Sequence, residues 1–63
     1  MVQVEIFIGY PEEIKNKIND WLLSKGDTIS IEKIKQNKFF NYNSQRKDIK
    51  LIICIFYKLN KSL

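Results

Sequence analysis

Apolar and polar residues alternate from Val2 to Ile8, with Val2, Val4, Ile6 and Ile8 on one side of an extended chain and Gln3, Glu5 and Phe7 on the other. That period of two predicts a half-buried strand whose valine and isoleucine side meets the core. Gly9 and Tyr10 break the alternation, and Pro11 suits the first position of a helix, where its missing amide hydrogen would be unpaired anyway. Glu12 and Glu13 follow in the first turn and oppose the positive helix end. Ile14, Ile18, Trp21 and Leu22 then recur at helical spacing, with lysines and asparagines between them. Lys25 followed by Gly26 supplies a stop, so the predicted helix covers residues 11–25. At about 1.5 Å per residue it spans about 22 Å, close to the length of a seven-residue strand at about 3.3 Å per residue.

Alternation resumes at Ile29 and Ile31, but the next apolar residue is Ile34, so the phase slips by one. A bulge near Glu32 and Lys33, or a strand that changes faces there, accounts for the slip. The polar stretch Asn41 to Asp48, NYNSQRKD, has turn formers and no apolar period, and predicts the loop of a long hairpin. The last strand, Ile49 to Leu59, places Ile49, Leu51, Ile53, Ile55, Tyr57 and Leu59 on one side and Lys50, Ile52, Cys54, Phe56 and Lys58 on the other. Both sides are apolar at its centre. At a sheet edge such a strand would pair with other chains, so it belongs in the middle, with Lys50 and Lys58 as flanking gatekeepers.

A right-handed crossover through the helix then sets the first two strands parallel on either side of the last one. The expected fold is α+β: a single βαββ domain over residues 1–63, with a three-stranded sheet of order 1-3-2 and one helix on one face. A chain of 63 residues and 7.6 kDa buries only about 60% of the surface that its unfolded form exposes. One helix covers one face of the sheet. Phe7, Ile52, Cys54 and Phe56, with Phe39 or Phe40 beside them, are expected on the other, and a patch of that size calls for a partner. The most economical partner is a second copy, which makes those four residues the expected interface of a homo-oligomer, a dimer.

Candidate chemistry narrows quickly. The chain has no histidine, one cysteine (Cys54) and one proline, and its two glycines lie 17 positions apart. Zinc clusters, disulfide frameworks, imidazole catalysis, phosphate-binding loops and dinucleotide fingerprints are therefore not expected. The seven carboxylates are dispersed, and the adjacent Glu12 and Glu13 do not share a helix face, so neither an acid/base pair nor a hard-metal cage is suggested. The serines and Thr28 have no histidine base. A non-enzyme without catalytic residues, metal or cofactor is the expectation. Cys54, inside an apolar run, reads as a small buried hydrophobe of a reducing compartment. The start of the chain lacks the features of a signal peptide, and the longest apolar run, LIICIFY at 51–57, is far short of the roughly 20 residues that span a bilayer. The expected setting is the cytoplasm, with no membrane partner.

Charge is distributed unevenly. Residues 1–32 carry three lysines against six carboxylates, a sum of −3, while residues 33–50 carry Lys33, Lys35, Lys38, Arg46, Lys47 and Lys50 against Asp48, a sum of +5. An acidic helix side and a basic hairpin end follow. The basic segment also holds Phe39, Phe40 and Tyr42, a mixture suited to anchoring on a protein and equally to tracking a phosphate backbone while stacking on bases. Phe39, Phe40, Tyr42, Arg46 and Lys47 are therefore the candidate partner-binding residues.

The V-x-V-x-I-F strand, the P-E-E-I helix start with its I-x-x-W-L stripe, the lysine-glycine stop, the I-E-K-I-K segment and the final I-C-I-F-Y-K strand together resemble the short βαββ proteins of Bacillus sporulation and their phage-borne relatives. In size and setting the chain is also similar to small phage anti-defence proteins, which act by binding. The resemblance implies a phage or prophage accessory protein that inhibits a host protein, as an oligomer and without catalysis. A small basic nucleic-acid-binding protein is the alternative, and a sponge that holds a signalling nucleotide between protomers is a third.

Overall fold

The structure, a computed structural model, describes residues 1–43 and 46–60, and of residues 41–43 and 46–48 the backbone alone. The elements in chain order are β1 (Val2–Gly9), α1 (Pro11–Lys25), a 3₁₀ turn (Gly26–Thr28), β2 (Ile29–Asn43) and β3 (Arg46–Leu59). They form a three-stranded sheet of order β1-β3-β2, with β3 antiparallel to both neighbours. This is the α+β architecture that the sequence predicts, with the helix over residues 11–25 as expected.

Local chemistry accounts for the helix ends. The Ile14 amide makes the first helical bond, to the Tyr10 carbonyl at 2.9 Å, and Glu13 Oε1 accepts from the Tyr10 amide at 3.4 Å, so one of the amides left open at a helix start is engaged. At the other end Gly26 adopts φ 52°, a region that side chains with a Cβ rarely enter, and its amide donates to the Leu22 carbonyl. The chain then turns through Thr28, whose hydroxyl donates to the Lys25 carbonyl. Asn60 ties this turn to the end of β3: its amide donates to Thr28 O at 2.7 Å, its side-chain Nδ2 to Asp27 O at 2.7 Å, and its Oδ1 accepts from Ser30 Oγ at 2.6 Å.

Register decides which residues share a face, because directly opposed residues on adjacent strands point the same way. β1 pairs with β3 from Val2↔Lys58 to Gly9↔Leu51, and β2 pairs with β3 from Ile29↔Leu59 to Asn43↔Arg46. The β2 register shifts between Ile31 and Lys33, leaving Glu32 as the extra residue. Ile31 thereby opposes Tyr57 and Ile34 opposes Ile55. The phase slip in the sequence is the bulge, and it returns Ile34 to the helix side of the sheet.

Two expectations change here. The hairpin loop expected over Asn41 to Asp48 is shorter, because the backbone ladder continues through Asn41↔Asp48 and Tyr42↔Lys47 to Asn43↔Arg46, and β3 starts at Arg46 instead of Ile49. Polar residues suit such a ladder because a two-stranded ribbon has no core to face. The phase of β1 is also reversed. Phe7 opposes Ile53, and it packs with Ile14 and Ile55 in the core under the helix, joined by Ile18, Trp21, Leu51 and Ile53. Val2, Val4, Ile6 and Ile8 point to the uncovered face, each about half exposed.

The physical reason lies in the rings. Trp21 stands edge-on to Phe7, 5.9 Å between centroids, and to Tyr57, 5.2 Å. One large aromatic on β1 thus fills the space beneath the indole that a valine or isoleucine would leave partly empty. Toward the far end of β1 the polar Gln3 is accommodated on this side as well, since its Oε1 accepts from the Tyr57 hydroxyl at 3.1 Å.

Candidate binding surfaces

The core is small. Among the described residues five apolar side chains are buried (Phe7, Ile14, Ile29, Ile55 and Tyr57), whereas fourteen large apolar residues are exposed. Seven of the fourteen fall on two surfaces, and each surface arises from the length or the phase of a strand.

The first is an arm. β1 ends opposite Leu51, yet β2 and β3 run on for five further pairs, from Phe39↔Lys50 to Asn43↔Arg46. At about 3.4 Å per residue the two-stranded ribbon extends about 17 Å beyond the three-stranded sheet, and the molecule measures 56 × 20 × 10 Å. Phe39 and Phe40 lie at its base, 39% and 50% exposed. As neighbours on a strand they point to opposite faces, Phe39 with Lys50 and Phe40 with Ile49. The structure therefore places the two phenylalanines on one arm but does not join them in one cluster. Tyr42, Arg46 and Lys47 belong to the same arm by backbone register, with Tyr42 opposite Lys47; their side chains lie outside the described residues.

The second is the open face of the sheet. Val2, Val4, Ile6 and Ile8 of β1 oppose Lys58, Phe56, Cys54 and Ile52 of β3, which puts all of them on the side away from α1. Ile52, Cys54 and Phe56 were expected on this face and are found there, each half-buried. Phe7, expected beside them, is a core residue instead, for the reason given above. Cys54 is a free thiol, half-buried rather than enclosed. β2 contributes a different chemistry: Lys33 opposes Phe56 and Lys35 opposes Cys54, so a lysine stripe borders the apolar strip. The Lys35 ammonium sits 5.9 Å from the centroid of the Phe56 ring. Lys58, at the end of the strip, pairs with the bulge residue Glu32 at 3.5 Å.

Sequence reasoning missed the β1 residues of this face, although one signal for them was present. Gly9 has the same phase as Phe7, and a Cβ built there would lie 2.8 Å from Glu13 Oε1 and 3.7 Å from Ile14 Cγ1. A glycine where the helix approaches the strand marks the helix-facing phase. Leu22, assigned to the buried helix stripe, is 37% exposed, because Trp21 takes the position over the sheet.

Among the described residues no group of three or more His, Cys, Asp or Glu side chains could hold a metal ion, and no helix is long and apolar enough to cross a membrane. The chain matches no protein-family model, and comparison with curated proteins and with solved structures gives no match.

Proposed function

We propose that this chain is a non-enzymatic binding protein whose β2–β3 arm meets its target, a host protein that it blocks. The observation that supports this reading is the ribbon that outruns the rest of the sheet and carries exposed phenylalanine on both faces at its base. Strands that continue past the core add nothing to it, and exposed aromatics flanked by cations are the side chains that anchor and orient protein interfaces. The pattern shared with phage-borne βαββ proteins makes a bacterial host protein, met in the cytoplasm, the target class. Replacing Phe39 and Phe40 together by alanine is expected to weaken binding to a target captured from the infected host, and then measured with purified partners by calorimetry, at least tenfold, about 1.4 kcal/mol. Circular dichroism should be unchanged. Full affinity in that double variant would overturn the arm as the binding element.

A second reading, binding of single-stranded nucleic acid, draws on the exposed Lys33, Lys35 and Lys38 of β2. It requires that affinity for a labelled oligonucleotide fall steeply with salt, and that replacing Lys33 and Lys35 by glutamine lower the slope by about one unit per lost contact.

A further inference from the structure

We infer that the open face of the sheet binds a second copy of this chain, the two faces packing about a two-fold axis that runs along the strands between β1 and β3. The inference is independent of the arm and of its target. It begins from the strip formed by Val4, Ile6, Ile8, Ile52, Cys54 and Phe56, which no element of the chain covers among the described residues. With Val2 at its end the strip runs seven residues along β1, about 24 Å, and two strands, about 10 Å, across, a projected area of about 240 Å² that side-chain relief raises to roughly 400 Å². An apolar patch of this size equals the largest found on a typical monomer, which is often functional. Two such strips bury roughly 800 Å² together, the size of a weak, reversible association.

For a second copy the charge pattern selects the axis. An axis centred on β3 and crossing the strands would set β2 on β2 and bring Lys33 and Lys35 of the two copies face to face. An axis between β1 and β3 instead lays β1 of one copy on β3 of the other, so that apolar meets apolar from Val4 to Ile8 and Lys58 stays at the end of the overlap. With strands about 4.8 Å apart and stacked sheets about 10 Å apart, the two β2 stripes then lie at opposite rims about 15 Å or more from each other. That exceeds the screening length of about 8 Å at physiological salt. Each lysine stripe overhangs the neighbouring sheet and stays in water. Cys54 of one copy faces Ile6 of the other, inside the seam, since these two residues oppose each other in the β1–β3 register.

The test is sedimentation equilibrium of the full chain from about 1 to about 300 μM, a range that brackets micromolar association, with maleimide labelling of Cys54 alongside. The wild type is expected to approach twice the 7.6 kDa protomer mass, with the Cys54 thiol reacting more slowly as concentration rises. Ile6→Lys is expected to remain monomeric and to label equally fast at every concentration. Ile6 is 53% exposed on an edge strand, so a lysine there can extend into water and the protomer can fold; circular dichroism checks this, and Ile6→Thr, which keeps the β-branch, gives the same comparison if the lysine variant does not fold. A wild type that stays monomeric throughout the range would overturn the proposal, as would a dimer that survives Ile6→Lys with Cys54 still reactive. A monomer that sediments with anionic vesicles would also overturn it and assign the face to lipid.

Discussion

Trp21 and Phe7 meet edge to face, 5.9 Å between ring centroids at an interplanar angle of 73°. The contact joins the only tryptophan, on α1, to the one aromatic residue of β1, and with Tyr57 also against the indole it is one of the contacts that join helix to sheet, beside the buried Ile14. Edge-to-face pairs add about 0.5–1.5 kcal/mol beyond the area they bury. A domain of this length has a total stability of about 3–9 kcal/mol at 0.05–0.15 kcal/mol per residue.

Trp21→Ala is therefore expected to cost about 3–5 kcal/mol, most of what holds the protomer together. Urea unfolding followed by circular dichroism checks it, since the variant has no tryptophan fluorescence. A loss below about 1 kcal/mol would mean that the indole is not the clasp between the two layers.

The reversed phase of β1 predicts opposite outcomes at neighbouring positions. Phe7→Ala removes a core ring and should destabilise by about 3–5 kcal/mol. Ile6→Ala trims a half-exposed residue and should cost about 1 kcal/mol or less when measured at a concentration too low for self-association. Equal effects, or the reverse order, would show that the valine and isoleucine side of β1 faces the helix after all.

Glu32 and Lys58 form an ion pair at 3.5 Å, with both side chains roughly half exposed. Pairs of this kind contribute about 0–1 kcal/mol. Glu32→Gln should therefore lower stability by no more than about 0.5 kcal/mol, and the difference should vanish near 1 M salt, where the screening length is about 3 Å. A larger, salt-resistant loss would place the importance of Glu32 in the bulge backbone and not in its charge.

The element order, the helix limits and the central place of β3 were legible in the residues themselves. Pro11 and Gly26 act within one or two residues of where they stand, because a fixed φ or a positive φ is a local property. The central position of the last strand followed from its own two apolar sides, and the bulge followed from the odd spacing of Ile31 and Ile34. The basic and aromatic character of the arm was equally legible, being a matter of composition.

Which side of β1 meets the helix was decided only by the tertiary structure. Val2, Val4, Ile6 and Ile8 form the more regular apolar side, but β3 offers an apolar surface on both of its faces and so does not discriminate between the two phases. The choice was made by volume and fit: Phe7 fits beneath Trp21, which also meets Tyr57, and Gly9 lets Glu13 and Ile14 come close. The ring contacts join residues 14 positions apart (Phe7 and Trp21) and 36 apart (Trp21 and Tyr57), which a period of two does not register. The length of the arm was likewise a tertiary outcome, since the Asn41 to Asp48 ladder is set by the pairing of two distant strands, while the local residues, rich in asparagine and lysine, read as a turn.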